Sequence, residues 1–284
     1  MTSLLLNFLF RKVPCIIVLF LVFKEYAKRN INTHQAITFN YLTAALLALF
    51  IEGNNYTITT VLNTDWFLPT IALGVFFIVM FNIMALTTQK LGISIGSMAS
   101  KMSLLIPVIG AVIFQNASLS IYKGLGIILA IIAVYLTFKK SGANTKNLTL
   151  AIALFFGAGI LDMWLDLIRS NYLSSAIDFN QFIVTVFFTA FGVGTVKIIF
   201  SGKKIVYKNV FAGIVLGIPN YFSIYFVLLA LENLGGVVVF PILNIGVVLF
   251  SSIISWLFHK EQMSKINWIG VILACLSIVI IMWY

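Results

Sequence analysis

Two short stretches hold the polar side chains most able to do chemistry. In the first, Ser97, Ser100, Lys101 and Leu104 recur at i, i+3, i+4 and i+7, so they share one face of a helix. In the second, Pro241, Asn244, Val248, Ser251 and Ser255 form a similar narrow stripe. Each lies inside a long apolar run, where an ammonium or a carboxamide is costly unless a polar group meets it. Lys101 could attract a carboxylate or another anionic group, with Ser100 beside it, and Asn244 could orient the same ligand. The serines could equally be helix-to-helix glue. Pro241 removes one backbone hydrogen bond, which either frees a carbonyl or simply kinks the helix.

Further along the chain, Asn220, Tyr221 and Tyr225 follow Pro219 and could meet a zwitterionic or aromatic ligand, or could be ordinary interface residues. Asn82 and Gln89 are similar, and Asn40 lies within another apolar run. Asp162 is the candidate for proton coupling, which needs a buried carboxylate with a raised pKa; a salt bridge to Lys101 is its rival. Asp166 and Arg169 are spaced for a structural ion pair. His34 and His259 fall at helix ends, where solvation is expected. No His-Glu-x-x-His, no embedded Ser/His pair, no acidic metal cluster and no Gly-x-x-x-x-Gly-Lys-Ser/Thr is present. An enzyme, a metal site, a cofactor and direct ATP drive are therefore not expected. Cys15 and Cys275 lack the spacing of a metal site or a disulfide framework.

The elements that position these residues follow from composition. With 61% hydrophobic and 9% charged residues and a mean hydropathy of +1.09, 284 residues cannot cover a water-soluble globule. A polytopic all-α membrane protein is expected, with the lipid bilayer as its partner. Ten apolar segments are about long enough to cross: 4 to 24, 33 to 52, 66 to 89, 91 to 115, 121 to 138, 148 to 169, 179 to 200, 209 to 231, 234 to 258 and 266 to 284. The first is read as a span rather than a removed signal peptide. It is awkward, because Arg11 and Lys12 fall inside it. Thr33, Asp65, Ser120, Asp178, Asn209 and Ser264 stand before apolar runs as candidate helix caps.

Those caps carry a repeat. Asp65 and Asn209 are 144 residues apart, as are Ser120 and Ser264, and Thr33 and Asp178 are 145 apart. The same offset pairs Gly126 and Ala130 with Gly270 and Ala274, small faces suited to close helix contact. Two five-span copies are expected, at about 1–141 and 142–284. An odd span count makes the second copy enter from the opposite side, so the repeats are inverted, around a central cavity. Leu91-Gly92 matches Leu234-Gly235 at an offset of 143, which sets Lys101 against Asn244.

Particular motifs resemble the EamA-type branch of the drug/metabolite transporter superfamily, in the form seen in Bacteroidetes-like bacteria. They are Lys24, Asn32-Thr33-His34-Gln35-Ala36, Ala85-Leu86-Thr87-Thr88-Gln89-Lys90 and Ser100-Lys101-Met102-Ser103 in the first half. In the second half they are Gly217-Ile218-Pro219-Asn220-Tyr221, Phe240 to Gly246, Lys260 to Ser264, and Trp268-Ile269-Gly270. The resemblance covers nearly the whole chain. It implies ten helices in a basket around a cavity, and secondary transport of small metabolites, usually outward. Glu261 keeps the acidic residue that precedes the last span of a repeat, whereas Ala117 stands there in the first copy. Asn40 stands about where many relatives carry an arginine.

Charge supplies an orientation. Thirteen of the 18 basic residues lie on or beside connectors after odd-numbered spans, which places those connectors in the cytoplasm and both termini outside. A net charge of +10 spread over short connectors fits a membrane surface, not nucleic acid. The expectation is a multi-pass protein of a bacterial inner membrane. It would export small polar metabolites, such as amino acids or other carboxylate-bearing compounds, by alternating access, with protons as the candidate coupling ion. A channel or a membrane scaffold is the alternative.

Overall fold

The computed structural model describes residues 2–52, 56, 58–106, 121–138, 145–173, 176–234, 236–260 and 264–283. Ser120, Ala117 and Glu261 lie outside them, as do the side chains of Arg11, Lys12, Asp166, Arg169, Asp178 and Pro241. Eleven helices form the described chain: α1 (Thr2–Lys28), α2 (Thr33–Glu52), α3 (Ile58–Leu62), α4 (Phe67–Leu91), α5 (Ile93–Met102), α6 (Ile121–Phe138), α7 (Thr145–Tyr172), α8 (Ala176–Phe200), α9 (Tyr207–Leu234), α10 (Gly236–His259) and α11 (Lys265–Trp283). Among the described residues, stretches in α2, α4, α7, α8 and α9 are long and apolar enough to cross a membrane. Such chains become helical because lipid offers the backbone no hydrogen-bond partner, and a helix satisfies each peptide group internally.

Contacts divide the chain into two compact units. The first comprises Met1–Lys24, Ile83–Ile160 and Ser223–Tyr284, and the second Glu25–Asn82 and Leu161–Phe222. Each unit draws on both sequence halves.

In the second unit, α2 packs along α8. Phe39 meets Phe191 with ring centroids 6.5 Å apart, and Tyr41 meets Phe187 at 5.9 Å. Further toward the start of α2, Thr38 touches Gly194. Partner numbers fall as α2 numbers rise, so the two helices run antiparallel. Helix α9 closes on α2 through Gly213 and Gly217. A Cβ at Gly213 would lie 2.5 Å from the Ala36 carbonyl oxygen, and one at Gly217 would lie 2.7 Å from that of Asn40. Only glycine permits this approach, which gives backbone-level packing where lipid provides no hydrophobic drive.

The first unit is built on α6 against α11 and α5 against α10. Ala130 and Ala274, 144 residues apart, are both fully buried in one cluster with Ala133, Val271 and Ile278. Gly126 and Gly270 are buried one turn before them. The Asn267 amide, in the first turn of α11, donates to the Leu136 carbonyl near the end of α6 at 3.2 Å, so this pair is antiparallel too.

Three features differ from the sequence reading. Helix α1 runs unbroken through Arg11, Lys12 and Pro14, about 40 Å long at 1.5 Å per residue, so length does not limit it. The fourth apolar run is interrupted: α5 ends at Met102, and Ser103 and Leu104 form a turn. There the Ser103 hydroxyl donates to the Ser100 carbonyl at 2.6 Å, and the Ile106 N–H reaches the Ser103 carbonyl at 2.9 Å. Pro107, four residues beyond Ser103, has no N–H to continue the helical pattern. The caps differ as well. Ser264 accepts from the Asn267 N–H at 3.2 Å, as expected, but α2 is capped by Asn32, whose side-chain oxygen accepts from the Gln35 N–H at 3.1 Å, and not by Thr33.

The α2–α9 contact gives a stability prediction. Gly213→Ala drives a methyl group into backbone and lowers stability by about 1–3 kcal/mol. Gly192→Ala, where nothing lies within 4 Å, is neutral or slightly stabilising. Denaturant titration of both variants in detergent measures the difference.

Candidate functional site

Most hydroxyls in the apolar helices are satisfied on their own helix and need no ligand. Thr38, Thr43, Thr70, Thr88, Thr185, Thr189 and Thr195 each donate to the carbonyl four residues earlier. The stripes of α5 and α10 meet through a cross-helix bond from Ser251 Oγ to Ser97 Oγ at 2.6 Å, both side chains fully buried. For these two serines the structure gives the glue role.

The expected site residues fall into both units. Lys101 is half-buried in the last turn of α5, where its charge opposes the carbonyl end of the helix. Ser100 is half-buried beside it. Asn244 is buried on α10, which runs as a helix through Pro241. Tyr225 is half-buried and stacks edge-on to Phe226. These belong to the first unit.

Within the second unit, Asn220 and Tyr221 are buried on α9, and Tyr221 stacks edge-on to Phe222. Asn82 on α4 is held twice: its amide donates to the Ile78 carbonyl at 2.7 Å, and its oxygen lies 3.4 Å from His34 Nδ1. His34 is therefore not the solvated residue that its position suggests, and its Nε2 is buried. Asp162, expected to be a buried carboxylate, is exposed on α7.

Asn40 stands apart. Its side chain is 0% exposed on α2, and neither Oδ1 nor Nδ2 has a hydrogen-bond partner among the described residues. Its main chain is fixed by the close approach of α9 at Gly213 and Gly217. An unmet amide in such surroundings costs about 1–3 kcal/mol, so the fold alone does not favour it. The arrangement suits a group that arrives with both a donor and an acceptor. No group of three or more metal-ligating side chains occurs among the described residues.

A polar clamp at the start of α2 was not legible as such. Asn209 Oδ1 accepts from the Asn32 N–H at 3.0 Å, and Asn209 Nδ2 donates to Gln35 Oε1 at 2.7 Å. Gln35 Oε1 also accepts from the Val206 N–H at 3.3 Å, while its Nε2 donates to the Lys204 carbonyl at 2.9 Å. Asn209 thus ties α9 to α2 and does not cap its own helix. Two carboxamides at the starts of two apolar runs were the available signal. Gln35→Leu strips partners from Lys204, Val206 and Asn209 and costs about 1–3 kcal/mol. Hydrogen–deuterium exchange at Val206 accelerates in this variant.

Comparison with known proteins places the chain without naming an activity. No family model matches it. A solved structure known only as the crystal structure of a protein superposes with a TM-score of 0.64 at 13% identity, over 99% of this chain and 96% of that one, a likeness of fold alone. An uncharacterized protein of Haemophilus influenzae is 31% identical over 289 aligned positions, covering 96% of each chain. The chain belongs to the same family as that Haemophilus influenzae protein.

Proposed function

We propose that the chain is a secondary transporter of small polar metabolites, amino acids or other carboxylate-bearing compounds, working outward by alternating access in a bacterial inner membrane. In this reading it has ten spans, arranged as two inverted five-helix repeats. The like-with-like packing supports that arrangement. Helices α2 and α8, and α6 and α11, occupy corresponding places in the two sequence halves, and each pair is antiparallel, as a pseudo-two-fold axis in the membrane plane requires.

The observation that carries the transport reading is Asn40. A carboxamide buried in a membrane-length apolar helix without a described hydrogen-bond partner is poor glue and a good ligand contact. Asn220 on the neighbouring α9 is a second carboxamide for the same unit. Taken by itself, the first unit offers Lys101, in the last turn of α5, as its candidate contact for an anionic group, with Ser100 and Asn244 as polar neighbours in sequence and repeat. Asp162 is retained only as a proton candidate from an exposed position, and Asn82, already bonded, as a positioning residue for His34.

The test is counterflow in liposomes across a panel of amino acids and small carboxylates. Wild-type protein gives saturable exchange of a member of the panel. Asn40→Leu, close in size and without a polar group to bury, folds at least as well and loses exchange by roughly tenfold or more, the worth of one buried hydrogen bond. Lys101→Ala loses exchange of anionic substrates in particular. Full exchange in Asn40→Leu removes that residue from the site, and non-saturating ion current replaces the transporter by a channel.

A further inference from the structure

The second unit carries a strongly basic end that the transport reading does not use. Residues 25–35 and 197–209 contain six basic side chains, Lys28, Arg29, Lys197, Lys203, Lys204 and Lys208, against one acid, Glu25. All six are exposed. They share one place in the fold because the clamp holds these segments together: Gln35 binds the Lys204 carbonyl, and Lys208 Nζ donates to the Arg29 carbonyl at 2.7 Å. Glu25 pairs with Lys28 at 2.7 Å and lies 3.5 Å from Arg29. The α8–α9 connector has no acid of its own.

Apolar side chains stand among these charges. Phe200 is 87% exposed and Tyr207 84%, with Ile199, Ile205 and Val206 also exposed. The apolar stretch of α8 ends at Phe200 and that of α9 begins at Tyr207. The connector therefore sits where hydrocarbon gives way to headgroups, with aromatic rings suited to that boundary and ammonium groups just beyond it. A water-facing partner such as nucleic acid would leave these rings and aliphatic chains in solvent.

We propose that this end of the second unit binds the headgroups of anionic phospholipids, with Lys203 and Lys204 as its central contacts. Gln35, itself held by Asn209, binds the Lys204 carbonyl and the Val206 N–H, so the connector that carries these lysines is tied to the start of α2 and is not a loose tail. Phe200, Ile205 and Tyr207 enter the acyl boundary around the bound headgroup. Each lysine near an anionic surface adds about a fivefold preference, and salt screens it.

The experiment is native mass spectrometry of the full chain released from micelles holding equal amounts of phosphatidylglycerol and phosphatidylcholine with matched acyl chains. Wild-type protein retains phosphatidylglycerol with a preference of roughly tenfold or more. In Lys203→Gln/Lys204→Gln that preference falls several-fold, while Lys260→Gln/Lys265→Gln, an exposed pair in the other unit, keeps it. Equal retention of the two lipids by wild type, an unchanged preference in Lys203→Gln/Lys204→Gln, or an equal fall in the control pair overturns the proposal. A wild-type preference that does not shrink between about 50 and 500 mM salt overturns it as well, independently of any variant.

Discussion

Apolar side chains gain nothing from one another when lipid tails are equally apolar, so helices in such a chain associate where their backbones can come close. This constraint governs the packing described above. Gly194 admits Thr38, and Gly213 and Gly217 let α9 reach the main chain of α2. In the first unit, Gly159 on α7 admits the Ser103 carbonyl and Ile106. Ala130 and Ala274 do the same for α6 and α11. Bulk stays on the outside: Leu125, Ile128 and Tyr135 of α6 are all exposed.

The same constraint gives polar side chains their meaning. A threonine that donates to its own helix is neutral company in an apolar span, and many of those described here do so. A carboxamide is different, because one group must donate and another must accept. Asn82 meets both demands within the protein, through Ile78 and His34. Asn209 meets them through Gln35 and Asn32. Asn40 meets neither among the described residues, which separates a candidate ligand contact from structural amides of identical chemistry.

Helix class, the approximate limits of the long apolar helices and the small faces at Gly126–Ala130 and Gly270–Ala274 were legible in the sequence, because span length and residue size are local properties. Partner choice was not. Asn209 read as a cap because it opens an apolar run, yet its side chain turns to another helix 177 positions away in sequence, at Asn32. Asp162 read as buried because its neighbours are apolar, but an apolar neighbourhood on a lipid-bathed helix says nothing about which face a side chain takes. The role of Gly213 and Gly217 comes from the fold alone, which shows that α2 is what they admit. The turn after Met102 had its signal in Pro107, hidden by the apolar character of the run.

Antiparallel packing of corresponding helices is the feature on which the proposed repeat and its transport mechanism rest. Lys28 and Tyr172, 144 residues apart, are both exposed just before α2 and α8. With Cys15 and Cys275 replaced by serine, Lys28→Cys and Tyr172→Cys can each be labelled in intact cells and in inverted vesicles with an impermeant thiol reagent. Inverted repeats require the two positions to react from opposite faces of the membrane, Lys28→Cys from the cytoplasmic one. Labelling of both from the same face would contradict the inversion and leave alternating access by two opposed repeats without a structural basis.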